Sequence, residues 1–148
     1  MTGRNKVSES KIQNLKSMDE ETFKQRTKKF GLAVIKLVET LPRNRTAEVL
    51  GRQLLRAGTS VGANYRAACR GKSAADVVAK LSIVEEEADE SIYWIELLVE
   101  AGLVAPNRVD VLKKEANELL AMTVASIKTI RARQQSGEAR LTNPKSKI

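Results

Sequence analysis

Histidine is absent from this chain of 148 residues, which removes the commonest general base, zinc ligand and pH switch together. Cysteine occurs once, at Cys69, so no internal disulfide can form and a reducing cytoplasm is the expected setting. Aromatic residues make up only 3% of the chain, so a core must be built from Leu, Val, Ile and Ala. No apolar run approaches the roughly 20 residues that span a bilayer, and the polar start from Met1 to Lys11 has no leader-like apolar segment; no membrane is expected among the partners. What remains is 42% hydrophobic and 30% charged, a composition that with a 3.5-residue repeat suits one bundle of long helices.

The repeat is clearest between Ser73 and Gly102. Val77, Leu81, Val84, Ala88, Ser91, Ile95, Leu98 and Gly102 alternate steps of four and three, which keeps one mostly apolar seam on one side of a helix. Ser73 with Asp76 three residues later reads as its N-terminal cap, and Gly102 as its stop. A helix of that length cannot bury its seam alone, and the rest of the chain supplies companions. Helix one is expected from about Ser17 or Asp19, with Phe23, Phe30, Val34, Leu37 and Leu41 inward and Pro42 ending it. Helix two, about Thr46 to Arg70 with Thr46 as its cap, carries Leu50, Leu54, Ala57, Val61, Asn64 and Ala68. It is rich in Gly and Ala, so a neighbouring helix must lie very near. Asn64 falls on the seam as a buried polar residue that needs a hydrogen-bond partner. Helix four, opened by Pro106, runs through Val109, Leu112, Ala116, Leu119, Thr123, Ile127 and Ile130 to about Gln135, with Gly137 ending the order.

The fold class expected is all-α, an antiparallel up-down-up-down four-helix bundle over residues 19–135. It is flanked by a flexible basic arm (1–18) and a flexible basic tail (136–148). Ile92, Tyr93, Trp94 and Val99 sit where helix three is apolar nearly all round, more greasy surface than a lone bundle needs. They are the expected contacts between copies, and closed symmetry makes a ring or dimer the default.

The formal net charge is +8 and unevenly spread. From Arg43 to Lys72 seven cations (Arg43, Arg45, Arg52, Arg56, Arg66, Arg70 and Lys72) face one carboxylate, Glu48, whereas helix three sets eight carboxylates against Lys80. An antiparallel hairpin brings Arg52 and Arg56 near Glu86 to Glu90, where ion pairs take up part of the basic face. The rest is suited to phosphates.

Other constellations are weaker. Gly71-Lys72-Ser73 lacks the first glycine of a phosphate loop and joins two helices instead of following a strand. The acidic cluster Glu85 to Glu90 lacks the histidines of a di-metal bundle. Cys69, near Arg66, Arg70 and Lys72, reads as a small core residue before it reads as an activated thiol. No nucleophile has a candidate base, so neither an enzyme nor a cofactor or metal is expected.

Arg52-Gln53-Leu54-Leu55-Arg56-Ala57, then Thr59-Ser60-Val61-Gly62-Ala63-Asn64, then Ser73, Asp76, Leu81, Glu87, Ile95-Glu96-Leu97-Leu98 and Ala101-Gly102-Leu103 resemble the bacterial four-helix bundle family encoded in intervening sequences of 23S ribosomal RNA genes. The likeness covers about residues 23–135. It departs after Asn64, where the family often has Asn-Ile-Ala-Glu-Gly and this chain has Tyr65, Arg66, Ala67 and Ala68, so a role resting on that Glu is not carried over. The resemblance implies a ring, typically a homopentamer. A distant relation to the accessory proteins of retroelements, which partner reverse transcriptases, implies nucleic acid as a ligand. Two readings stay open: an oligomer that binds RNA or DNA through phosphates, and a scaffold that binds a partner protein such as a reverse transcriptase.

Overall fold

Four helices carry the chain, and no strand occurs among the described residues. The computed structural model describes the backbone of residues 3–142 and the side chains of residues 19–138. Helix α1 spans Gly3–Glu39, α2 Arg45–Cys69, α3 Ala74–Glu100 and α4 Asp110–Thr142, with a short 3-10 turn at Pro106–Arg108. Helix α1 begins at Gly3, ahead of the start expected near Ser17 or Asp19, so its backbone runs through most of the arm expected over 1–18; the side chains of that stretch and of most of the tail expected over 136–148 lie outside the described residues. Helix α4 does not stop at Gly137: it passes through to Thr142, since one helical glycine costs only about 1 kcal/mol.

Each neighbouring pair runs antiparallel. The Phe23 ring meets that of Tyr65 at a tilt of 59°, centroids 4.4 Å apart, Arg56 reaches Glu87 and Glu90, Glu96 pairs with Lys113 at 3.2 Å, and Arg26 reaches Glu115 at 2.9 Å. The core holds Phe23, Phe30, Val34, Leu54, Val61, Val84, Ala88, Ile95, Leu98, Ala116 and Leu119, all buried. A smaller cluster of Ala68, Val78, Leu81 and Ile127 closes the end beside the α2–α3 turn. Three small hydroxyls are buried with this core: Thr27, Ser91 and Thr123. Each donates to a carbonyl of its own helix, Lys24, Glu87 and Leu119 respectively, at 2.7 to 3.0 Å. Burial therefore leaves none of them unsatisfied.

The ends of the helices follow local chemistry. Asn44, in extended conformation, accepts from the Ala47 N–H at 2.8 Å and caps α2, so the cap lies two residues before the expected Thr46. Ser73 accepts from Asp76 N–H at 3.1 Å, as expected, while the Asp76 carboxylate reaches past it to the Lys72 N–H at 3.1 Å. After α3, Gly102 takes φ +73°, Leu103 N–H donates to Leu98 O at 2.9 Å and Gly102 N–H to Val99 O at 3.0 Å. That is the paired left-handed stop that glycine favours.

Helix α1 is the close neighbour that the small residues of α2 require. A Cβ added at Gly58 would lie 2.7 Å from a methyl of Val34, and one at Gly62 would lie 3.3 Å from the Thr27 carbonyl. Asn64 differs from its expectation. It is half-buried, and its amide donates to Ser60 O of its own helix at 2.9 Å. A straight helix drifts about 20° per heptad from a strict seven-residue repeat, and that drift carries position 64 to the flank.

Candidate nucleic-acid interface

Seven residues make almost two helical turns, so positions 45, 52, 59 and 66 of α2 fall close to one line, and position 70 follows one turn later. They are Arg45, Arg52, Thr59, Arg66 and Arg70, all exposed. At 1.5 Å per residue the line from Arg45 to Arg70 is roughly 38 Å long. Arg43 and Lys72 lie exposed in the turns at its two ends. Of the seven cations expected here, only Arg56 has an ion-pair partner among the described residues. Arg56 points toward α3, where it contacts Glu87 at 3.3 Å and Glu90; Arg52, expected to share those carboxylates, lies about 40° further round the helix and does not reach them. The Arg56 pairs are partly exposed and contribute at most about 1 kcal/mol.

Beside the arginine line, α1 and α2 form a shallow groove of ≈ 590 Å³ floored by Gly31, Gly62 and Ala63 and edged by Lys24, Lys28 and Arg66. Glu21 is its one acidic lining residue, and Lys24 leans to Glu20 at 3.5 Å. The small floor follows from the close α1–α2 seating. Glu85, Glu86 and Asp89 face α4 beside Leu120 and Val124. Lys24 and Lys28 were not among the residues expected from sequence. Their four-residue spacing put them on one helix face, but only the packing of α1 against α2 brings them to Arg66.

The residues expected at an interface between copies scatter. Ile92 faces the core and is buried, a correction that follows from the 100° step per residue: Ile92, Ile95 and Leu98 share the inner face. Trp94 and Val99 are half-buried against the same core, and Trp94 Nε1 donates to Glu90 at 3.1 Å. Tyr93 is 52% exposed, its ring 5.1 Å from that of Trp94.

One further polar cluster, invisible in the sequence, joins α1 to α4. Arg26 donates to both oxygens of Glu115, at 2.9 and 3.0 Å, and to Glu118 at 2.8 Å. Hydrogen bonding to Glu115 raises the guanidinium pKa further. Cys69 is half-buried, and burial, followed by the neighbouring Glu20 carboxylate, pushes its thiol up. That is the opposite of activation, since the thiolate is the reactive form. Burial likewise pushes the Tyr65 phenol up. Among the described residues no group of His, Cys, Asp and Glu is placed to hold a metal ion, and no helix is long and apolar enough to cross a membrane.

Comparison with known proteins agrees with the all-helical fold. No curated protein matches the chain. A crystal structure of a protein of unknown function from the S23 ribosomal protein family of Bacteroides thetaiotaomicron superposes with a TM-score of 0.68 at 31% identity, over 72% of this chain and 98% of that one. The model of the 23S rRNA-intervening sequence protein family matches residues 19–125, which take in α2 and α3 whole, the C-terminal part of α1 and the first half of α4. The chain therefore belongs to the 23S rRNA-intervening sequence protein family.

Proposed function

We propose that this protein is a non-enzymatic bundle that binds nucleic acid through its phosphate backbone. The observation that carries the reading is the line of Arg45, Arg52, Arg66 and Arg70 on the outer face of α2, exposed and without ion-pair partners among the described residues. Exposed arginines release counterions when phosphates replace them, and that gain is independent of base sequence. Membership in a family named for 23S rRNA-intervening sequences makes RNA the first polyanion to try. A titration of labelled RNA and DNA at two salt concentrations tests it. Affinity should fall steeply with salt, and each Arg→Gln change on the line should lower the salt slope by about 1. Absence of binding at low salt would refute the reading.

We also propose self-association, favoured by the exposed Tyr93 beside Trp94 and the half-buried Val99. A homopentameric ring is the form expected from the family resemblance. Tyr93→Glu changes an exposed position and leaves the core intact, so the mass in solution should drop; an unchanged mass would remove this face as the contact.

A further inference from the structure

We propose that the ligand of the α2 face is a nucleic-acid duplex, held along about one turn, in preference to a single strand. This rests on the nucleic-acid reading above.

Proteins that bind single strands join a basic groove to aromatic side chains on which bases stack. The chain has five aromatics, and none lies on the basic face. Phe23 and Phe30 are in the core. Tyr65 is half-buried, its ring tilted against that of Phe23. Trp94 is half-buried and tied to Glu90. Tyr93 is exposed but belongs to α3, whose charged residues from Glu85 to Glu100 are all carboxylates. A splayed base arriving at α2 would find arginines, Thr59 and Ala63, with no aromatic ring to stack on.

What the face does offer is a rigid ruler. Along α2 the steps from Arg45 to Arg52 and from Arg66 to Arg70 are roughly 10.5 and 6 Å, and the whole line is roughly 38 Å. One turn of B-form DNA is about 34–36 Å, so the two ends of the line would meet phosphates about one turn apart on a stiff rod of that form. A flexible strand has no such fixed repeat to match. The groove adds a second row: Lys24, which leans to Glu20, and Lys28 on α1 line it together with Gly31, Gly62, Ala63 and Arg66. Glu48, the only carboxylate of α2, lies near the Arg45 end, so the Arg52 to Arg70 portion with Lys24 and Lys28 carries most of the attraction. With neither aromatics nor a base-reading loop on this face, recognition is by shape and charge.

The test is fluorescence anisotropy with the full chain and labelled 20-mers of three kinds: duplex RNA, duplex DNA and an unstructured single strand, at matched salt. Either duplex should bind at least about tenfold more tightly than the strand, and the better of the two identifies the source of the backbone. The combined change Arg45→Gln, Arg52→Gln, Arg66→Gln and Arg70→Gln alters only exposed side chains, so helicity by circular dichroism should persist while the duplex advantage vanishes. A strand that binds as tightly as duplex overturns this inference and leaves the nucleic-acid reading standing. No binding of any probe overturns both. If the fourfold variant keeps its duplex affinity but falls in solution mass, a second copy occupies the α2 face and the inference fails.

Discussion

Replacing Gly58 with alanine sets two opposed effects at one position. Glycine in a helix interior is about 1 kcal/mol worse than alanine because it loses more chain entropy on folding. The new Cβ, however, would lie 2.7 and 3.0 Å from the two methyls of Val34 and 3.1 Å from its Cβ. Val34 is fully buried and β-branched, so in a helix it is held to one rotamer. It has nowhere to turn, and α1 must move off α2. Overpacking of this kind costs about 1–3 kcal/mol, and three crowded Val34 atoms place Gly58 in the upper part of that range. The net change is a loss of about 1–2 kcal/mol. The same substitution at Gly31 meets only Gly58 O and Thr59 Cα, each at 3.8 Å. There the entropy term survives, and a gain of about 0.5–1 kcal/mol is expected. Urea unfolding followed by circular dichroism, at one fixed protein concentration, reads both midpoints. The parent should fall between the two variants. A Gly58→Ala protein as stable as the parent would refute the claim that the helices touch there without slack.

Two further perturbations test other joints. Asn44→Ala should cost about 1 kcal/mol by removing the cap of α2, and Thr46→Ala less than about 0.5 kcal/mol; thermal midpoints in the reverse order would restore Thr46 as the cap. Arg26→Gln should destabilise by about 1 kcal/mol or less, because the Glu115 pair is 30% exposed, and the difference should shrink in high salt. A loss that salt leaves untouched would mean that Arg26 acts through packing.

Much of the bundle was legible because its signals are local or periodic. The α3 seam from Leu81 to Leu98 is buried as the four-three spacing predicts, with Ile92 added and Val77 turned half out. The small residues of α2 announced a close neighbour, and Gly102 its left-handed stop. Thr27 is not legible as a core residue because a threonine in a run of Lys and Arg carries no apolar signal, yet it is 1% exposed where Gly62 leaves room for it. Choosing between Asn44 and Thr46 as the cap required the backbone path after Pro42, which composition does not specify. The Arg26 cluster joins residues 89 apart in sequence, so no spacing rule reaches it. The arginines of α2 could be counted in advance, but which of them the carboxylates of α3 would neutralise depended on a rotation of about 40° around the helix.

The tight fit of Val34 into the notch at Gly58 also governs how the outside of the molecule behaves. Two rods wedged together in this way neither slide nor part at low cost, so the cationic groups mounted on them keep a constant gauge while their tips swing. Whatever lands across the pair has only side-chain ends to still, with no loop to order and no hinge to shut. Such a surface should associate fast, show little change in shape on doing so, and discriminate by outline alone.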